Sequence, residues 1–186
     1  MADNYLQFSE AIDDLTAGEE TWLKEQLETI IVFGDKVYLE SEPVKDRLAV
    51  EEPAFVGSRF LRDNPDFDSS FDVLGFDFAF EEQENVRSLW LYAESYGDPN
   101  HVAWLIQKFL KQFRPDRSWS LTYASTCSKP RVGEFGGGAV FVTAAEIKCH
   151  AADDFVQQQR SAFEQSRTPR AARPLRTTSA VSIVNW

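Results

Sequence analysis

Cysteine is nearly absent from this chain: Cys127 and Cys149 are the two among 186 residues, too few for a disulfide framework. Long apolar runs are missing, and the N-terminus lacks the charged-then-apolar pattern of an export signal, so neither a membrane partner nor secretion is expected. The Walker and dinucleotide-binding glycine patterns do not occur, and no cofactor is expected. Cations are scarce where a phosphate grip would need them. From Met1 to Asn100 there are 24 Asp and Glu against 7 Lys and Arg. Holding nucleic acid requires cations that displace counterions, so direct nucleic-acid binding by this half is not expected. The expectation is a cytoplasmic protein with reduced thiols.

What is present suffices for one globular domain: 43% of the residues are apolar and 13% aromatic, enough for a sizeable core and too little for two ordinary domains. The net charge of -11 is unevenly spread. From His101 to Gln165 there are 6 acids against 8 cations, and from Ser166 onward no acid against 4 arginines. Basic partners, or surfaces that normally hold nucleic acid, fit the acidic front half.

Tyr5, Phe8, Ile12 and Leu15 recur at helical spacing after Asp3, which predicts a short amphipathic helix. Thr16-Ala17-Gly18-Glu19 reads as a capping box opening a second helix from Ala17 to Leu27. Residues 1–40 are thus expected to form a helical hairpin and a short strand. In 41–70, prolines 43, 53 and 65 and scattered acids predict an irregular connection pinned by Phe55, Phe60 and Leu61. Phe76-Asp77-Phe78-Ala79-Phe80 alternates as a strand, and Val86 to Ala93 is the next. Asp98-Pro99 starts a helix whose apolar stripe runs from Val102 to Phe113. Trp119 to Ala124 and Ala139 to Thr143 read as strands, and Ala151 to Phe163 as a helix with Ala152, Phe155, Val156 and Phe163 inward.

Those elements run strand, strand, helix, twice. A shift of 50 positions superposes Leu91 on Phe141, Leu105 on Phe155, Ile106 on Val156 and Phe113 on Phe163. The predicted fold over 71–165 is α+β, a four-stranded, mainly antiparallel sheet with two helices on one face in the order ββα-ββα, preceded by the helical hairpin. Residues 166–186 form an Arg/Pro-rich tail. Its Arg167, Arg170, Arg173 and Arg176 are broken up by prolines, and Val181 to Trp186 is apolar enough to add a strand to a sheet edge.

The candidate recognition loop holds Thr126, Cys127, Ser128, Lys129, Arg131, Glu134, Gly136, Gly137 and Gly138. Its cations could bind an anion while the glycines let backbone N–H groups approach. Cys127 could be a nucleophile beside those cations, with His101 or His150 as base. Cys149-His150 could offer two zinc ligands, which on a strand point apart. For all three, a plain strand end or hairpin turn is the competing reading.

The second candidate is an acidic face of Asp63, Asp66, Asp68, Asp72, Asp77, Glu81, Glu82 and Glu84, interleaved with phenylalanines. On an extended chain alternate side chains lie roughly 6.6–6.8 Å apart, close to the spacing of phosphates along a strand. A row of carboxylates there would imitate a phosphate backbone; a solvated face is the plainer alternative. Trp22, Trp90, Trp104 and Trp119 sit in apolar patterns and are expected in the core.

The stretch from Trp119 to Lys148, with Thr126-Cys127-Ser128-Lys129-Pro130-Arg131, Phe135-Gly136-Gly137-Gly138-Ala139 and Val142-Thr143, resembles a family of small phage, prophage and plasmid proteins. The likeness spans about Phe76 to Phe163. It implies a mobile-element context and no particular activity. Many small acidic proteins of such elements block host defence nucleases. The leading expectation is therefore a non-enzymatic inhibitory protein of the anti-CRISPR or anti-restriction type, acting in a bacterial host on a protein or nucleoprotein complex with a basic surface. A small anion- or nucleotide-binding enzyme centred on Thr126 to Gly138, and a nucleic-acid accessory protein using the basic loop and tail, are the alternatives.

Overall fold

In the computed structural model, residues 3–33, 35–39, 42–48, 50, 53–63, 74–129 and 131–167 are described. Asp66, Asp68, Asp72 and the tail beyond Arg167 lie outside them. The class is α+β with antiparallel sheet, as expected, but the sheet is larger and its centre comes from an unexpected place. Asn4–Ile12, predicted as a helix, is strand β1. It pairs with β6 (Val86–Ala93) on one side and β7 (Ser118–Cys127) on the other. The helical spacing of Tyr5, Phe8 and Ile12 was real. Ladder hydrogen bonds to segments some eighty and more residues away outweigh that local preference.

The capping box is present as read. Thr16 Oγ1 accepts from the Glu19 N–H at 3.3 Å while Glu19 Oε2 accepts from the Thr16 N–H at 2.8 Å, and helix α1 runs Ala17–Leu27. A three-stranded antiparallel sheet follows in the order β3-β2-β4, formed by β2 (Thr29–Phe33), β3 (Lys36–Leu39) and β4 (Phe55–Ser58). The stretch expected to be irregular therefore contains helix α2 (Glu42–Leu48), β4 and the single-turn helix α3 (Arg59–Arg62). Phe60 and Leu61 pin it, at 1% and 0% exposed.

β5 (Asp77–Gln83) and β6 are joined by Glu84 and Asn85, at φ 52° and 68°, the signature of a tight two-residue hairpin turn. Helix α4 spans Pro99–Phe113 and is capped by Asp98, whose Oδ1 accepts from the Asn100 N–H at 2.9 Å. Then come β7, β8 (Gly136–Thr143) and β9 (Ile147–Ala151), and helix α5 (Ala152–Arg167). Four strands were expected; the main sheet has six, in the order β5-β6-β1-β7-β8-β9, every neighbouring pair antiparallel.

One face of that sheet is covered. Phe8, Leu89, Leu91, Leu121, Val140 and Val142 point into a core closed by Leu23 of α1 and by Val102, Leu105, Ile106 and Phe109 of α4. Each such side chain contributes about 1.5–3 kcal/mol by burial. The second half of the suggested repeat does not pack like the first. Leu105 and Ile106 are buried, whereas their counterparts Phe155 and Val156, expected inward, are 53% and 42% exposed. Phe163 and Phe141 are 61% and 43% exposed, and every α5 residue from Ala152 to Gln165 is exposed. The periodicity of α5 was read correctly, but the helix lies shallowly along β8 and β9 while α4 covers the middle of the core.

Candidate functional site

The β7–β8 connection is shorter and better anchored than its composition suggests. Thr126 and Cys127 belong to β7, paired with Tyr5 and Asn4. Ser128 is tied to the start of β1 from both sides: its N–H donates to the Asp3 carbonyl at 2.9 Å and its Oγ accepts from the Asp3 N–H at 2.9 Å. Gly136, Gly137 and Gly138, placed in the candidate recognition loop, are the first three residues of β8, opposite Ser125, Ala124 and Tyr123. Gly138 also pairs with Ala151 of β9, so its backbone is interior to the sheet. A Cβ at Gly138 would collide with the His150 carbonyl and the Tyr123 hydroxyl, and one at Gly137, at φ 153°, with the Tyr123 carbonyl. These glycines serve close packing. Burial beneath this crossing pushes the Tyr123 pKa up.

What protrudes between the strands is Lys129, Arg131, Val132, Glu134 and Phe135. Val132 and Phe135 are 105% and 52% exposed, and a turn that closes from the Glu134 N–H to the Arg131 carbonyl carries Gly133 at φ 80°. An apolar pair flanked by cations thus stands in solvent on a loop tied down at its base. Composition drew attention to the cations; Val132 and Phe135, the residues that project, were not singled out.

The acidic stretch is not one row. Along β5, Asp77 and Glu81 share a face with Trp90 and Tyr92, while Glu82 lies on the other face, 3.9 Å from Arg87. Glu84 stands in the hairpin turn. Asp63 pairs with Lys108 at 3.6 Å. Other front-half carboxylates are paired with cations: Glu19 with Arg114, Glu28 with Arg59, and Glu20 with Lys24 one turn on and with Arg87. The Glu84 turn and the Val132 loop sit at opposite ends of the sheet, because β1 meets β7 through its first residues and β6 through its last.

The Glu19–Arg114 pair was not foreseen, since only the fold brings residues 95 apart together. The Arg114 guanidinium donates to Glu19 at 2.7 and 3.1 Å and to the carbonyls of Asp13 and Asp14. That hydrogen bonding, chiefly, holds the Glu19 pKa down at about 2 and raises that of Arg114. The pair welds the start of α1 to the end of α4 beside a cleft of about 560 Å³ lined by Trp119 and Arg117.

His101 is 6% exposed. Its Nδ1 accepts from the Gly75 N–H at 3.0 Å and its Nε2 faces Asp98 Oδ2 at 3.6 Å, so both ring nitrogens are engaged. Burial holds its pKa below the ordinary value against the opposing pull of Asp98. Its Nδ1 lone pair is thus taken up by Gly75, and Cys127, for which it was a candidate base, is itself buried. Cys149 and His150 lie on opposite faces of β9, as their adjacency implied, and Cys149 Sγ lies 4.0 Å from Asn100 Oδ1. Among the described residues no group of three His, Cys, Asp or Glu is placed to hold a metal, and no helix is long and apolar enough to cross a membrane.

Trp22, Trp104 and Trp119 pack against the core as expected. Trp90 does not: it is 37% exposed on the uncovered sheet face, stacked on Tyr92 at 4.1 Å, with its Nε1–H donating to Ser9 Oγ at 2.8 Å. The run Leu89-Trp90-Leu91-Tyr92, apolar on both faces, was the signal that could have marked it. The chain matches no protein-family model, no curated protein and no solved structure.

Proposed function

We propose that the protein is a non-enzymatic binding protein of a mobile element, acting in the bacterial cytoplasm on a host defence complex whose basic surface normally holds nucleic acid. The observation that carries this reading is the β7–β8 loop, which is anchored through Ser128 and projects Val132 and Phe135 into solvent. Exposed apolar side chains on a pre-organised loop can be buried by a partner with little loss of ordering entropy. The net charge of -11 supplies long-range attraction toward a basic partner and speeds encounter. The β5–β6 turn, with Glu82 and Glu84, is the part of the candidate acidic face on which this steering rests most directly. With Asp77 and Glu81 on a different face, continuous imitation of a phosphate backbone is replaced by steering toward the partner.

Affinity capture from host extract tests it. Wild-type protein should retain a nucleic-acid-binding complex that competing duplex DNA releases. Val132→Asp with Phe135→Ser should lose the catch, and Glu82→Lys with Glu84→Lys should release it at lower salt. Retention unchanged by the loop variants, or tight binding of the protein itself to duplex DNA at physiological salt, would sink the reading.

A further inference from the structure

The uncovered face of the six-stranded sheet has a symmetry that the covered face lacks. Its midline falls between β1 and β7, with β6 and β8 second from the two edges and β5 and β9 at the edges. Trp90 on β6 and Phe141 on β8 both project from this face, at 37% and 43% exposed. They also stand at one level. Trp90 is opposite Ala11 and Phe141 opposite Ser120, each three residues beyond the last paired β1–β7 residues, Phe8 and Tyr123. Two aromatic ridges thus flank a trough of small residues. On the same face the edge strands differ in sign: β5 carries Asp77 and Glu81, β9 carries Lys148 and His150.

We infer that this face is the interface of a homodimer, in which two copies stack sheet on sheet about a two-fold axis parallel to the strands. That operation lays β6 of one copy over β8 of the other and β5 over β9, so Trp90 meets the second copy's Phe141 twice and the acidic edge meets the basic edge twice. An axis across the strands would set acid on acid instead. Such a contact is isologous and closes on itself, and aligned sheets pack this way about 10 Å apart. Six strands about 4.8 Å apart and about 24 Å long cover roughly 700 Å² per copy, near the roughly 800 Å² per partner of a specific interface.

Chemistry favours a second copy over other occupants. The Trp90 indole N–H is already satisfied by Ser9 of its own sheet, so the ring can be covered without stranding a donor. Asp77 and Glu81 on the same face repel the phosphates of a nucleic-acid strand that could otherwise stack on the aromatics. Lys148 is held by Glu146 at 2.7 Å, with both side chains more than half exposed, so its ammonium remains open to a second carboxylate. Because rotation about an axis along the strands does not exchange their ends, both Val132 loops emerge at the same end of the dimer, as bivalent engagement of one partner requires.

Sedimentation equilibrium of the purified full chain tests the inference without any partner, so its result stands apart from that of the capture experiment. Wild type should sediment as a dimer. Trp90→Glu, at an exposed position, should keep the far-UV circular dichroism of the wild type and weaken the dimer at least about tenfold. Asp77→Lys with Glu81→Lys should be monomeric alone, as should Lys148→Glu, and mixing these two proteins should restore a dimer, since both edge contacts then join opposite charges. A wild type that stays monomeric, a Trp90→Glu dimer of undiminished strength, or charge variants that fail to associate on mixing would overturn it. A monomer that instead binds single-stranded DNA through Trp90 would assign the face to nucleic acid.

Discussion

Gly138 and Gly136 show how little residue type says without position. Both are in the same glycine triplet, yet a methyl group at Gly138 meets the His150 carbonyl and the Tyr123 ring, while one at Gly136 has only Asp153 Oδ2, 4.0 Å away. Gly138→Ala is expected to lower stability by about 2 kcal/mol or more, and Gly136→Ala by less than about 0.5 kcal/mol, in parallel urea titrations. Arg114 is the other residue whose weight only its surroundings reveal. Replacing it with leucine leaves the Glu19 carboxylate, 7% exposed, without its cation, and an expected cost of about 3–5 kcal/mol follows. The Glu19→Gln/Arg114→Leu double variant should recover part of that loss, which a thermodynamic cycle would measure.

Elements with a local cause were legible in the chain. The Thr16 box opened α1 and Asp98-Pro99 opened α4, both through hydrogen bonds made within three residues. Thr16→Ala should cost about 1 kcal/mol. The β5–β6 hairpin was legible too, but Glu84 sits at φ 52° and Asn85 at φ 68°, where asparagine followed by glycine is preferred. Glu84→Asn with Asn85→Gly should therefore raise the thermal midpoint, corresponding to about 1 kcal/mol. β1 was not legible. Phe8 and Ile12 satisfy a helical stripe, and the ladders that make them a strand close only when β6 and β7 arrive. For α5 the stripe was read correctly while its burial was not, because periodicity reports which side of a helix is apolar and not how deeply that side is buried.

Across the whole molecule, acid should act in two stages. His101 is kept below its ordinary pKa of 6.5 by burial, so the unfolded chain takes up protons that the folded one refuses, and stability falls as the pH drops below about 6.5. Glu19 has a folded pKa of about 2 against 4.5, so its contribution is complete above about pH 4.5 and is lost as the pH falls toward 2. At neutral pH that contribution is worth about 3 kcal/mol. Urea midpoints measured from pH 8 downward should show both limbs; His101→Gln should remove the upper one and Glu19→Gln the lower. The Val132 loop, by contrast, should leave the midpoint almost unmoved when altered, since it projects from the sheet and buries little.

What the sequence determined by itself was the local and the compositional: the capped helices, the alternating strands after Phe76, the α+β class, the acidic front half and a loop worth attention near Thr126. Those follow from hydrogen bonds and periodicities contained within a few residues, and from charge counted over the chain. Tertiary structure alone decided that β1 joins two halves into one six-stranded sheet, that Arg114 rather than solvent answers Glu19, and that Gly137 and Gly138 pack while Val132 and Phe135 project. It also decided that Trp90 and Phe141 share a bare face. Each of these depends on which distant segments meet, and the free energy of those meetings is spread over pairs that no short stretch of chain contains.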